Sequence, residues 1–241
     1  MNKDFREEFY KKYDSTFKIH ISNFSNKSIL KLWSWFDYKY LPILKNYPKN
    51  SAILELGCGR GYMLEYLKKQ GYKNLKGIDI SEEQIKISLK KNFDVEVANA
   101  IDFLENSDKK YKIIIALDFI EHFYKEELIR LFEKIFRCLE NDGIFLFHTP
   151  NGQTILSPNL IYGDLTHLTI FTPNSAQQLL RAVGFKDINF FETGPVPKNF
   201  NGFIRYIIWK LIKISHNCIR LVETGSIENI LTQNFIAVSK K

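Results

Sequence analysis

Between Ser51 and Gly194 short apolar runs alternate with helix-like stretches, and this alternation limits the possible folds more than any other feature of the chain. The apolar runs are Ala52 to Leu56, Leu75 to Ile80, Val95 to Ala98, Ile113 to Leu117, Ile144 to Phe147 and Ile188 to Phe191, each about strand length. Tyr62 to Lys69, Glu82 to Lys90, Lys125 to Leu139 and Asn174 to Ala182 read as helices, the last two closed by Gly143 and Gly184. Apolar strands separated by helices belong to a mostly parallel sheet covered on both faces. A seventh run, Leu231 to Val238, follows a helical insert at about 200–223.

Residues 1–50 carry two apolar-periodic segments, Asp4 to Phe17 and Lys27 to Leu44, expected as a helical lid over the open end of the sheet. Residues 51–241 then form one decorated domain, since 241 residues are few for two independent cores. The charged start, MNKDFREEFYKKYDS, lacks the apolar run of a secretory signal, so a cytoplasmic location is expected. Cys58, Cys138 and Cys218 have no paired spacing and are expected to be free thiols. The net charge of +7 favours an anionic partner, yet the lysines are scattered. A small molecule bearing phosphate is therefore expected ahead of nucleic acid.

The sharpest local signal is Glu55-Leu56-Gly57-Cys58-Gly59-Arg60-Gly61-Tyr62, a strand running into three alternate glycines and then a helix. Glycines there let the backbone turn and approach a ligand, and the helix start offers free N–H groups. A dinucleotide fold prefers GxGxxG, whereas this chain has GxGxG preceded by an acid. Asp79 ends the second strand, placed to hold two ribose hydroxyls. Asn99 follows the third strand, and Leu117-Asp118-Phe119-Ile120-Glu121-His122 follows the fourth. All four motifs lie at strand C-termini, the edge where open α/β sheets bind ligands.

These residues resemble the class I S-adenosylmethionine-dependent methyltransferases, particularly small bacterial enzymes that act on quinone precursors and surface-polysaccharide precursors. The resemblance implies a Rossmann-like α/β fold with a mostly parallel seven-stranded sheet, S-adenosyl-L-methionine as cofactor and S-adenosyl-L-homocysteine as product. It further implies that Gly57, Cys58, Gly59 and Gly61 line the methionine and ribose part, with Cys58 as a small residue. Glu55 would order the loop or a water at the amino group, Asp79 hold the ribose and Ile80 pack on the adenine. Asn99 stands where the family usually has an acid; its amide oxygen would accept from the adenine amino group, with Ala100 adding a backbone N–H. Leu117 and Asp118 would close around the methionine.

For the acceptor, three histidines lie at strand ends or loops: His122, His148 and His167. An imidazole titrates near neutrality and suits general base work on a hydroxyl. His167 leads as the base, with Asp164 to orient it and His122 as the next candidate; loop organisation and helix capping are the bland alternatives. An Asp and His pair also suits a metal, but no third ligand stands at a convincing spacing and none is expected. The resemblance points to a small polar acceptor, taken as the hydroxyl of a phosphorylated or nucleotide-linked sugar of a surface-polysaccharide pathway. N-methylation, quinone-precursor O-methylation and a non-catalytic cofactor-binding scaffold are the alternatives.

The insert, Phe203 to Val222, reads as one helix whose polar stripe is Lys210, Lys213, Asn217 and Arg220. Charges interrupt it too often for a membrane span; packing on its own domain, a homodimer contact or a bilayer surface are the uses left.

Overall fold

The computed structural model describes residues 5–11, 25–155 and 158–241. Seven strands form one sheet: β1 (Ala52–Leu56), β2 (Asn74–Asp79), β3 (Val95–Val97), β4 (Tyr111–Leu117), β5 (Leu139–Pro150), β6 (Lys186–Glu192) and β7 (Asn234–Lys240). Their order is β3-β2-β1-β4-β5-β7-β6, parallel throughout except for β7, which runs antiparallel to both β5 and β6. The order reverses between β1 and β4, so their C-terminal ends open a crevice at the switch point.

Alternation along the central strands divides the core between two faces. Leu54, Leu56, Ile114, Ala116, Phe145 and Phe147 point to one face, against α6 (Ala100–Asn106), α7 (Lys125–Cys138) and α9 (Pro173–Val183). Ile53, Ile113, Ile115, Ile144 and Leu146 point to the other, under α2 (Asn26–Lys39), α3 (Leu41–Leu44) and α4 (Tyr62–Lys69). Helix α5 (Glu82–Leu89) packs Ile85 near Cys58, Leu64 and Val95. In α7 the buried residues Leu128, Leu131, Phe132, Ile135 and Cys138 recur on one helical stripe. Truncating Leu131 to alanine would cost about 2–5 kcal/mol.

Several boundaries differ from the sequence expectation, each for a local reason. The Lys27 to Leu44 segment divides at Tyr40 into α2 and α3, because Pro42 in the first turn of α3 cannot donate to the preceding helix. Helix α7 ends at Cys138, not on Gly143; Gly143 lies inside β5, and the positive φ falls on Asp142 (60°). Gly184, by contrast, does close α9 in the left-handed region. Helix α6 was not anticipated from periodicity. Of the Asp4 to Phe17 segment, α1 (Phe5–Lys11) is described and residues 12–24 lie outside the described residues.

The insert is α10 (Phe200–Thr224), capped by the Asn199 side chain on Gly202 N–H (2.7 Å) and ended by Gly225 at φ 68°. Three of the four polar-stripe residues face the domain, while Lys210 is exposed and lies over the Tyr206 ring of the same helix. Lys213 pairs with Glu192 (2.9 Å), Arg220 with Glu228 (3.2 Å), and Asn217 exchanges bonds with the Glu228 backbone. The side exposed to water is instead apolar, with Phe203, Leu211 and Ile214 more than half exposed. No described helix is long and apolar enough to cross a membrane.

Candidate active site

The glycine turn after β1 needs residues without side chains. Gly57, Gly59 and Gly61 have φ of 69°, 51° and 75°, the left-handed region that L side chains avoid. Space is short as well: a Cβ on Gly57 would come within 2.6 Å of the Phe119 ring, and one on Gly59 within 2.6 Å of Gln84 Oε1. Asp79, at the end of β2, fastens the turn, its Oδ2 accepting from Gly59 N–H and its Oδ1 from Ser81 N–H, both at 2.8 Å. Gly57, Asp79, Ile80, Asn99, Ala100, Leu117 and Asp118 line one crevice of about 330 Å³, which Phe119, His122 and His167 continue. Ile80 lies at its edge, 42% exposed, as an apolar surface for a flat ring.

Two predicted residues act differently from the simple expectation. The Asn99 oxygen is the N-cap of α6, accepting from Ile101 N–H (2.9 Å) and Asp102 N–H (3.3 Å), so it is already engaged by its own helix. Asp118, held at φ 48° by the sharp turn after β4, bonds His148 Nδ1 (2.9 Å) and Asn234 Nδ2 (3.3 Å). His148 therefore faces Asp118 and the Trp35 ring, on a neighbouring cavity, and not the other two histidines.

That neighbouring cavity also holds Glu55 and Cys58. Glu55 is buried with Oε2 lacking a hydrogen-bond partner among the described residues, and burial, helped by the Asp79 charge, holds its carboxyl well above the usual range. An orphaned buried carboxyl beside a glycine turn fits a ligand that brings an ammonium. Burial likewise raises the Cys58 thiol, so it is a filler and not a nucleophile. The chemistry of this end matches S-adenosylmethionine, whose amino group would meet Glu55, whose ribose would meet Asp79 and whose adenine would lie on Ile80.

At the other end, a 3-10 turn, Ile120–His122, follows β4. His122 Nδ1 lies 3.0 Å from both the Thr166 carbonyl and the Thr166 hydroxyl, and that hydroxyl donates to Asp164 Oδ1 (2.6 Å). Asp164 thus reaches His122 through Thr166. The expected orientation of His167 by Asp164 is replaced by a contact of His167 Nδ1 with the Ile161 carbonyl (3.3 Å). The two imidazoles face each other with centroids 5.0 Å apart. Burial, reinforced by His167, lowers the His122 imidazole to about 4, so it is neutral at pH 7. Glu121, beside His122 and not singled out from the sequence, is fully buried; its Oε2 accepts from Thr149 (3.0 Å) and burial, then Asp118, holds its carboxyl well above the usual range. From α1, Tyr10 sets its ring edge on His122, and Arg6 pairs with Glu127 through two bonds of 2.8 Å.

A family profile described as a methyltransferase domain matches residues 32–189. A carboxy-S-adenosyl-L-methionine synthase of Nautilia profundicola is 38% identical over 115 residues, 44% of this chain and 47% of that protein. Among solved structures, an S-adenosylmethionine-dependent methyltransferase from Archaeoglobus fulgidus superposes with a TM-score of 0.67 at 22% identity, covering 97% of this chain and all of that one. The phosphoethanolamine N-methyltransferase 2 of Haemonchus contortus, crystallised with S-adenosyl-L-methionine, has a TM-score of 0.59 at 15% identity, covering 96% of this chain and 60% of that one. The chain spans about half the length of the curated relatives it matches. The chain belongs to the methyltransferase-domain family, and its fold is that of the class I S-adenosylmethionine-dependent methyltransferases.

Proposed function

We propose that this chain transfers the methyl group of S-adenosyl-L-methionine to a hydroxyl oxygen of a small polar acceptor. The observation that carries the reading is the continuity of one crevice, from the Gly57 turn and Asp79 to the facing imidazoles of His122 and His167. When bound, the cofactor supplies a methyl carbon on a positively charged sulfur, and the chain's work is alignment, exclusion of water and loss of the acceptor proton. Leu117 and Phe119 give the middle of the crevice apolar walls, while α1 closes over His122 through Tyr10 and Arg6. The His122–His167 end activates the acceptor oxygen, with Asp164 positioning His122 through Thr166.

Arg6 is the one Lys or Arg among the described lining residues, and Glu127 neutralises it. The crevice is thus suited to hydroxyls. In a phosphorylated or nucleotide-linked sugar, the anionic part would sit at the mouth, favoured by the chain's +7 charge. Mass spectrometry of the purified full chain is expected to find S-adenosylmethionine or S-adenosylhomocysteine. Release of S-adenosylhomocysteine is then measured against sugar phosphates, nucleotide sugars, catechols and amines. A hydroxyl acceptor is the expected hit; turnover on amines alone overturns the O-methyl reading, and cofactor binding with no turnover on any acceptor favours a scaffold.

A further inference from the structure

Glu121, His122 and His167 offer one carboxylate oxygen and two imidazole nitrogens that all lie within 4.8 Å of one another. Their surroundings are arranged as for ligands. Each imidazole turns its Nδ1 to a backbone carbonyl, His122 to Thr166 at 3.0 Å and His167 to Ile161 at 3.3 Å. With the proton on Nδ1, the Nε2 of each ring keeps its lone pair for an ion. Hydrogen bonding of the second nitrogen to a carbonyl is how proteins fix metal-binding histidines.

An independent observation comes from Glu121. Its side chain is 0% exposed, Oε2 accepts from Thr149, and Oε1 has no hydrogen-bond partner among the described residues. A buried carboxylate oxygen left bare is costly unless something binds it. The backbone around the trio is also tied down. Leu168 and Thr169 N–H both donate to the Glu121 carbonyl (2.8 and 3.0 Å), and the Thr169 hydroxyl donates to the Phe123 carbonyl (2.8 Å). The loop bearing His167 is thereby locked to the turn bearing the other two residues.

We propose that Glu121, His122 and His167 form a site for one divalent transition-metal ion at the acceptor end of the crevice. Two imidazoles and one carboxylate are the donors of zinc, manganese and iron(II) sites and leave positions open for water or substrate oxygen. Ligands about 2.1 Å from one ion stand roughly 3 to 4 Å apart, so a small inward movement of the side chains closes the trio. An acceptor hydroxyl in an open position would lose its proton to solvent more readily. That use of the ion rests on the methyl-transfer reading, whereas the site itself does not.

The full chain, stripped with a chelator and dialysed, is titrated calorimetrically with Zn2+, Mn2+ and Co2+, and bound Co2+ is followed by its visible absorption. About one ion per chain is expected for at least one metal. The double variant His122→Ala/His167→Ala should lose that binding, and Glu121→Gln should weaken it roughly tenfold or more. S-adenosylmethionine affinity, measured on the same samples, should stay within about threefold of wild type and reports that the variants are folded. Wild-type chain that binds the cofactor but none of the three ions overturns the metal site and leaves the methyltransferase reading standing. Ion binding that survives in the double variant also overturns it, while ion binding without cofactor binding would remove the methyltransferase reading alone.

Discussion

The two ends of the crevice hold their polar groups in opposite ways. At the cofactor end, Asp79 bonds two backbone N–H groups and Asn99 caps α6, so residues expected to bind ligand also build the fold. At the acceptor end, Glu121 keeps an oxygen without a partner among the described residues, and two imidazoles stand with their centroids 5.0 Å apart. Changes at the first end should cost binding and stability together, and changes at the second should cost chemistry with little loss of stability.

The largest effect tests the second half of that contrast. His167→Ala is expected to slow S-adenosylhomocysteine release by roughly 10²- to 10⁴-fold while calorimetric cofactor affinity stays near wild type. A parallel loss of affinity would mean that the two ends are not separable. Next, Asp79→Ala should weaken S-adenosylmethionine binding by about 1.5 to 3 kcal/mol, because charge-assisted bonds are lost. Since the same carboxylate fastens Gly59, its urea midpoint should fall too; an unchanged midpoint would show that the turn stands without it.

Asn99→Ala removes the α6 cap and should cost about 1 kcal/mol in denaturant unfolding, whereas Asn99→Asp should be close to neutral. Equal losses in both variants would point away from capping. The smallest effect is expected from Glu121→Gln, which keeps an acceptor for Thr149 and removes an ionisable group from the core. Its stability without added metal should lie within about 1 kcal/mol of wild type by thermal unfolding. A much larger loss would show that the buried carboxyl supports the fold.

Legibility in the sequence follows the same division. The six strands inside the βα region, the glycine turn and Asp79 announce themselves locally, because a strand, a φ above zero and a helix start each have a signature within ten residues. Helix α6 left a signal that periodicity alone overlooks: Asn99 followed by the buried positions Ala100, Ile101 and Leu104 is an N-cap and an apolar stripe. The Glu121–His122–His167 trio carried no spacing to recognise, since two members are adjacent and the third arrives on a loop 45 positions after His122. Only the packing of the His167 loop on the turn after β4 brings them together. In α10 the narrow polar stripe was visible, but not its direction; Glu192 and Glu228, which attract it inward, lie outside the helix.

The strand order carries a consequence for how the chain matures. Among the described residues strand β6 pairs with β7 and with no other strand, yet β7 is made only after residues 193–233, which include all of α10. Any sheet that forms before β7 is made leaves β6 without a partner and the β5 edge, with Phe145, Leu146 and Phe147, without its next neighbour. Such an edge invites pairing with another chain. Any change that delays β7, including loss of the Lys213–Glu192 and Arg220–Glu228 pairs that dock α10, would prolong that state and raise the yield of aggregates during synthesis without altering the finished fold.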